Sequence, residues 1–127
     1  GAGAYVKALS VRQPWAWLVV RGTKPVENRT WRTSHRGPLV VHASRTFDRE
    51  GYAHLRMRWP SLDLPHRSSY RLGGIVGRVR LVDCVRNHPS PWFEGPWGWV
   101  LEDPEELPFR NFRGSLGLFD VPRRLLT

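Results

Sequence analysis

A chain of 127 residues with a formal net charge of +9 is long enough for one domain with an ordinary hydrophobic core. Its single cysteine, Cys84, excludes an intrachain disulfide and a zinc site made of several cysteines. The apolar run at residues 15–20 is too short to span a bilayer, and the N-terminus lacks the order of basic and apolar regions that marks a signal peptide.

These features predict one domain over residues 1–127, with its core at about 6–122 and with residues 1–5 as a tag remnant or a disordered segment. A lone cysteine suits a reducing cytoplasm. The sequence contains neither an HxxxH nor an HExxH spacing. We therefore expect a cytoplasmic monomer that uses no cofactor or metal and has no membrane partner.

The cations outnumber the acids, and almost all of them are arginine. Lysine and arginine total 20 against 11 acidic residues, and only Lys7 and Lys24 are lysines. Arginine presents a planar fork that matches phosphates and base edges and stacks on rings. Seven tryptophans among these arginines are typical of a surface on which bases stack. The composition predicts binding of RNA or another single-stranded nucleic acid, although a GC-rich genome would also raise the arginine content.

Periodicity and turn residues divide the chain into short elements. In chain order we predict a strand at 6–11, a helix at 15–21, strands at 28–32 and 38–43, a helix at 48–59, and strands at 74–85, 97–102 and 114–121. Gly22 and Pro60 fit the ends of the two helices. Six mostly antiparallel strands with two or three flanking helices indicate an α+β fold. We expect the sheet to close into a small β-barrel, because closure removes exposed strand edges.

The stretch 22–29, Gly-Thr-Lys-Pro-Val-Glu-Asn-Arg, has the most informative polar pattern. Pro25 biases Lys24 toward extended backbone, and in a regular strand Lys24 and Glu27 would lie on opposite faces. If the chain turns at Pro25, the two side chains can meet. In a partly dry cleft such a pair could bind or attack a polar substrate, whereas at the surface it would be a weak, solvated ion pair.

Each member of that pair has several chemical uses. Lys24 could grip a phosphate or a carbonyl, or act as a base or nucleophile. Glu27 could accept a hydrogen bond from an exocyclic amine, act as a general base on water, or neutralise a neighbouring cation. If the protein is an enzyme, these two residues are the predicted catalytic pair.

Ser10, Arg12 and Gln13 lie between the first predicted strand and the first predicted helix. Amides at a helix N-terminus favour anions, so a phosphate could rest there, and a capping and packing role is the alternative. His42, in a predicted buried strand, is better explained as a core histidine than as an acid.

Aromatic and basic side chains suggest how a nucleic acid would be held. Trp31 and Trp97 are the preferred candidates for stacking on a base, and Trp15 is a candidate wall of the pocket. Arg78 and Arg80 share one face of a predicted strand, as a row of phosphate contacts would require. The predicted phosphate track comprises Arg45, Arg49, Arg56, Arg58, Arg78, Arg80, Arg110 and Arg113.

Five segments resemble the ASCH domain family in the same order, and the resemblance covers roughly Val6 to Pro122. They are Leu9–Ala16 with the Gly22-x-Lys24-x-x-Glu27-x-Arg29 signature, Arg36–Ser44, Gly74–Gly77, Gly95–Leu101 and Arg113–Phe119. The resemblance implies a PUA-like β-barrel with helices at its side and a cleft lined by the signature. It also implies roles linked to RNA, coactivation or translation.

Some small members of that family remove the acyl group from N4-acetylcytidine, and some are reported as ribonucleases. In the amidohydrolase pattern a threonine lies three positions after the lysine, whereas Glu27 occupies that position here. The hydroxyl that this threonine provides in the family could come here from any of three residues, Ser44, Ser115 or Thr30.

We therefore predict a nucleic-acid-binding domain, in the first place for RNA, with a cleft for one base or nucleotide, natural or modified. The alternatives are a hydrolase that uses the same cleft and a protein-interaction or regulatory module. The candidate ligand-binding residues are Ser10, Arg12, Gln13, Trp15, Gly22, Lys24, Glu27, Arg29, Trp31, Ser44, Arg45, Arg78, Arg80, Trp97 and Arg113.

Overall fold

A computed structural model describes residues 3–127, which form one six-stranded sheet with two α-helices. The elements are β1 (Tyr5–Gln13), α1 (Trp15–Val20), β2 (Val26–Arg29), β3 (Gly37–Phe47), α2 (Arg49–Arg58), β4 (Gly74–Val85), β5 (Trp97–Asn111) and β6 (Leu118–Pro122), with 3₁₀ turns at Arg67–Ser69 and Arg123–Leu126. The predicted α+β class is confirmed. Of the segment expected to be a tag or disordered, residues 1 and 2 lie outside the described range, and Tyr5 already begins β1.

The strands follow the order β2-β5-β4-β3-β1-β6. Strands β1 and β3 pair in parallel, and the other four neighbouring pairs are antiparallel. This agrees with the predicted, mostly antiparallel sheet. Within residues 3–127 no strand pairing joins β2 to β6, so closure into a barrel is not confirmed.

Strand β5 is much longer than the sequence predicts, because it continues through an acidic, proline-containing stretch to Asn111. Its acids face the arginines of β4: Arg78 pairs with Glu105, and Arg80 pairs with Glu102. Three register shifts in this ladder accommodate the irregular stretch. The predicted end at residue 102 was wrong because Asp-Pro and repeated glutamates are typical of turns when a sequence is considered without its partner strand.

Two other boundaries differ from the prediction. Strand β2 begins at Val26 and ends at Arg29, so it lies earlier than the predicted 28–32. Strand β6 begins at Leu118, because residues 114–117 form a loop in which Gly117 has a φ of +66°. In both places a loop replaces predicted strand, and residues 114–117 of the second loop line the cleft described below.

The short helix α1 packs its apolar side on the sheet and buries Ala16, Leu18, Val19 and Val20. Gly77 on β4 allows this close approach, since a Cβ there would lie 2.5 Å from Val20 Cγ1 and 2.5 Å from a backbone oxygen of β5. The main core combines α1 with residues from β1, β3, β4 and β5. No helix within residues 3–127 has the length and apolar character needed to cross a membrane.

Candidate functional site

An open cleft of about 980 Å³ lies where β1 and β3 approach α2 and several loops. Its volume is at the upper end of the range typical of small-molecule sites, about 300–1,000 Å³. Most of its lining residues are charged, polar or aromatic, and those discussed above or below are Ser10, Arg12, Trp15, Lys24, Glu27, Asn28, Arg29, His42, Ser44, Arg45, Asp48, Arg58, Trp59, Trp92, Glu94, Phe112, Arg113, Gly114 and Ser115. The cleft is therefore built from segments that are far apart in the chain.

A buried ion pair forms the floor of this cleft. Lys24 Nζ lies 2.8 Å from Glu27 Oε1 and also donates a hydrogen bond to the carbonyl oxygen of Val26 at 2.7 Å. The two side chains are only 5% and 9% exposed. The chain turns before β2 begins, so both side chains reach the same side, and the pair is buried rather than solvated.

Glu27 also lies near a second cation, Arg29. The distance from Glu27 Oε2 to Arg29 Nη1 is 3.6 Å, and Arg29 Nη2 donates to the carbonyl oxygen of Ser10 at 2.9 Å. Arg29 Nε is buried without a hydrogen-bond partner among the described residues. Two cations thus share one carboxylate, which leaves the floor with an excess of positive charge.

Trp15 and Asp48 form the next part of the wall. Trp15 Nε1 donates to Asp48 Oδ2 at 2.9 Å, and Lys24 Nζ is 5.8 Å from the centre of the Trp15 ring. Arg12 approaches the same carboxylate oxygen at 3.6 Å, and Asp48 Oδ1 accepts the Gly51 amide to cap α2. Burial raises the pKa of Asp48, but the hydrogen bonds from Trp15 and Gly51 and the charge of Arg12 outweigh burial, so the net pKa lies below its usual value of 3.8.

Ser10 and His42 are direct neighbours on the parallel strands β1 and β3. Ser10 Oγ is 3.1 Å from His42 Nδ1, and His42 Nε2 is 2.6 Å from the carbonyl oxygen of Phe112. Burial lowers the pKa of His42 below 6.5, and the hydrogen bond to Phe112 opposes this only in part. His42 is thus a satisfied buried histidine, as the sequence indicated, but it also lines the cleft.

A stacked pair of tryptophans also lines the cleft. The rings of Trp59 and Trp92 are 5.1 Å apart and nearly parallel, at 17°. Arg58 lies over Trp59, 5.4 Å from its centre, and donates to the carbonyl oxygen of Pro91 at 3.3 Å. Sequence reasoning missed this pair, because its members come from the end of α2 and from a distant loop.

Asn28, also missed, anchors the loop that carries Trp92. Its side-chain amide donates to the carbonyl oxygen of Trp92 at 3.0 Å. Its side-chain oxygen accepts the backbone amides of Glu94 and Gly95 at 2.8 and 3.0 Å. The signature segment therefore positions a second wall of the cleft as well as its floor.

The structure brings together most of the residues predicted to bind a ligand. Those that line the cleft are Ser10, Arg12, Trp15, Lys24, Glu27, Arg29, Ser44, Arg45 and Arg113. Their binding roles remain predictions.

Six of the predicted residues do not line the cleft, and two of them have structural roles at the ends of α1. Gln13 is buried, accepts the amide of Trp17 at 2.8 Å and donates to the carbonyl oxygen of Arg71, which matches the capping alternative. Gly22 turns the chain after α1 with a φ of +81°.

The other residues outside the cleft are two tryptophans and two arginines. Trp31 packs edge-on against buried Trp99 at 4.7 Å, and Trp97 packs against the main core. Arg78 and Arg80 border a separate, smaller depression, where Arg78 binds Glu105 at 2.8 Å. Trp15, Trp59 and Trp92 are therefore the tryptophans that line the cleft.

The comparison with family models now identifies the fold family. The ASCH domain model matches residues 9–103. The chain belongs to the ASCH family. This confirms the resemblance drawn from the five segments, and the family is associated with nucleic acids.

Two curated relatives are named Activating signal cointegrator 1. The human protein is 32% identical over 111 residues, which are 78% of this chain and 19% of that protein. The mouse protein is 38% identical over 81 residues, which are 61% of this chain and 14% of that protein. This ASCH chain thus spans less than a fifth of the length of either relative.

Solved ASCH structures from Zymomonas mobilis share the fold. The Y47F mutant superposes with a TM-score of 0.58 at 15% identity, covering 92% of this chain and 90% of that one. The S128A mutant gives a TM-score of 0.57, also at 15% identity, covering 92% and 88%. Identity this low supports the fold alone.

No group of three metal-ligating side chains comes together within residues 3–127.

We expect removal of either member of the buried pair to destabilise the fold. Lys24→Met should lower the free energy of unfolding by about 3 kcal/mol, near the lower end of the range for breaking buried pairs, because Arg29 still lies near Glu27. The double variant Lys24→Met/Glu27→Gln should cost less than the sum of the single variants. Urea unfolding of the four proteins measures this coupling.

The matched control is Lys7→Met, at the only other lysine. Lys7 pairs with Asp120 at 2.9 Å, but the two side chains are 45% and 54% exposed, so the expected loss is at most about 1 kcal/mol. Two outcomes would contradict the structural role of the buried ion pair. One is an equal loss of free energy of unfolding in Lys24→Met and Lys7→Met, and the other is additive losses in the double variant of Lys24 and Glu27.

Asp48 should stabilise the protein in a pH-dependent way. Its pKa is lowered in the folded state, so its contribution is present above the ordinary value of 3.8 and disappears as the pH falls through the folded value. Asp48→Asn, which keeps an oxygen for the Gly51 amide, should be less stable than the wild type at neutral pH, with a difference that narrows in acid. Unfolding measured from neutral pH to about pH 2 checks this, with exposed Asp63→Asn as the control. A difference independent of pH would exclude a charge effect.

Proposed function

We propose that the cleft binds single-stranded nucleic acid, in the first place RNA, and holds one natural or modified base or nucleotide. The observation that carries this proposal is the charge of a cleft large enough for a nucleotide. Six cations line it, Arg12, Lys24, Arg29, Arg45, Arg58 and Arg113, against three acids, Glu27, Asp48 and Glu94. An arginine-rich cleft with aromatic walls combines phosphate attraction with surfaces on which bases stack.

The floor can present both donors and acceptors to a base edge. An ammonium has three N–H donors, and Lys24 uses two of them on Val26 and Glu27. One donor is therefore left for a ligand. Glu27 retains acceptor capacity, which suits the exocyclic amine of a base such as cytosine.

The walls would hold the neighbouring parts of the strand. Trp15 offers an indole ring beside the floor, and the stacked pair of Trp59 and Trp92 offers two more rings in the same cleft. Exposed Arg12, Arg45 and Arg113 could follow the phosphates. This assignment moves the predicted stacking role from Trp31 and Trp97, which pack against the core, to residues that line the cleft.

Binding to a fluorescent single-stranded RNA of about 12 nucleotides, followed by anisotropy, tests the proposal. Affinity should fall steeply between about 50 and 200 mM salt, because binding releases counterions from the phosphates. Arg113→Ala, at an exposed position, should weaken binding by removing one charge-assisted contact worth about 1.5–3 kcal/mol, roughly 10- to 150-fold. Lys24→Ala should weaken it as well, provided that thermal unfolding shows a folded protein.

Lys7→Ala is the control, since Lys7 lies on the exposed side of β1 paired with Asp120 and outside the cleft. It should bind RNA almost as tightly as the wild type. Undetectable binding of both RNA and single-stranded DNA at low salt would refute the proposal and favour a protein-interaction module. An equal loss of RNA affinity in Lys7→Ala and Arg113→Ala would show that RNA binds outside the cleft.

A hydrolase acting in the same cleft is the second candidate, favoured by the direct, buried contact between Lys24 and Glu27. In this reading the pair activates water or holds an amide, as for N4-acylated cytidine, or promotes cleavage of RNA. Mass spectrometry of modified nucleosides and labelled RNA, incubated with wild type and Lys24→Ala, tests it. Conversion by the wild type alone is the expected result, and conversion that persists in Lys24→Ala would exclude this pair.

A further inference from the structure

The hydrogen bond between Ser10 and His42 has a defined donor and acceptor. His42 Nε2 lies 2.6 Å from the carbonyl oxygen of Phe112, which can only accept a hydrogen bond, so Nε2 carries a proton. In the neutral ring Nδ1 is then the unprotonated nitrogen and accepts from Ser10 Oγ at 3.1 Å. The serine hydroxyl therefore donates this hydrogen bond to the imidazole.

This arrangement meets the geometric requirements for an activated serine. A nucleophile needs a base within hydrogen-bond reach, and the base needs a third group that fixes its tautomer and orientation. His42 is the base, and the carbonyl of Phe112 is the orienting group. A carbonyl adds no full negative charge, so it orients the ring but stabilises an imidazolium less than a carboxylate would.

The serine is also accessible. Ser10 is half-buried and lines the cleft, whereas His42 is only 2% exposed beneath it. Gly114 packs against both residues: a Cβ there would lie 2.7 Å from His42 Cε1 and 3.3 Å from Ser10 Oγ. Any side chain at this position would crowd the hydroxyl, so glycine keeps space beside Oγ free.

We propose that Ser10 is a nucleophile that accepts an acyl group from an ester or amide of an anionic compound, with His42 as its general base. Ser10 Oγ attacks the acyl carbon while its proton passes to His42 Nδ1. The imidazolium then returns this proton to the departing alcohol or amine, and the acyl group stays on Oγ. Water attacks the acyl-serine with His42 again taking a proton, and the carboxylic acid leaves as that proton restores the Ser10 hydroxyl.

The charge of the cleft determines the class of substrate. Arg29 donates to the carbonyl oxygen of Ser10 itself, and this guanidinium brings positive charge to the strand end where an oxyanion would form. The excess of cations over acids along the cleft favours an acyl group carried by a phosphorylated compound. This reaction does not require RNA binding. It also differs from the Lys24–Glu27 alternative in naming Ser10 as the residue that provides the nucleophilic hydroxyl.

A fluorophosphonate reagent tests the proposal without knowledge of the natural substrate. Attack by Ser10 would release fluoride and leave a phosphonyl adduct, seen by intact-protein mass spectrometry and located by peptide mapping. We expect one adduct on Ser10 of the native wild type, none on Ser10→Ala, and unchanged labelling of Ser68→Ala. Ser68 is the matched control because its Oγ also contacts a histidine, 2.8 Å from His66 Nδ1, but it is exposed and lies outside the cleft.

The variant His42→Gln removes the general base but keeps the hydrogen bond that supports the fold, since the glutamine amide can still donate to the Phe112 carbonyl. The labelling rate should fall by at least about 100-fold, as for loss of a general base. If circular dichroism shows that this variant does not fold, the test rests on the Ser10 and Ser68 variants and on loss of labelling when the wild type is unfolded.

Three results would overturn the proposal. They are no adduct under conditions that label a reference serine esterase, equal labelling of Ser10→Ala and wild type, and equal labelling rates for folded His42→Gln and wild type. RNA binding and Lys24-dependent hydrolysis are measured separately, so failure of either leaves this result interpretable. Labelling of Ser10 alone would establish the nucleophile whether or not RNA binds.

Discussion

The buried carboxylate of Glu27 determines how the signature segment is attached to the rest of the sheet. A buried carboxylate is costly unless it is paired and hydrogen-bonded. Lys24 and Arg29 both satisfy it, and Arg29 continues to the carbonyl oxygen of Ser10 on β1. Strands β1 and β2 share no backbone ladder, so these side chains connect two parts of the sheet that backbone pairing leaves apart.

That connection produces a polar cleft with a rigid floor. Lys24 is held by a carbonyl and a carboxylate, and neighbouring Asn28 holds the loop of Trp92 through three hydrogen bonds. One short segment thus positions both the charged floor and one aromatic wall. Pre-organised side chains of this kind lower the ordering cost of binding, which would favour the proposed ligand, flexible single-stranded RNA.

The parallel pairing of β1 with β3 makes the second contribution to the site. It places Ser10 beside His42, and the loop that follows β5 brings the Phe112 carbonyl to the other imidazole nitrogen. The proposed binding and the proposed covalent chemistry therefore share one cleft but depend on different contacts. The charge of the cleft would serve both, since a phosphorylated acyl compound and a nucleic acid are both anionic.

The sequence by itself determined the α+β class and the order of the elements, the resemblance of its motifs indicated the family, and its polar pattern drew attention to the Lys24–Glu27 segment. These follow from local periodicity, from turn residues and from motif spacing, which require no knowledge of distant partners. The sequence did not determine the length of β5, because the glutamates and prolines of β5 form a strand only opposite the arginines of β4.

Only the tertiary structure decided which polar and aromatic side chains meet. Trp31 and Trp97 pack against the core, whereas Trp59 and Trp92, far apart in the chain, stack at the cleft. The contact of Ser10 with His42 likewise depends on which strands pair and in what register. Sequence spacing fixes the neighbours along one element, but long-range pairing, driven by burial of apolar area and satisfaction of backbone hydrogen bonds, selects the contacts that make a site.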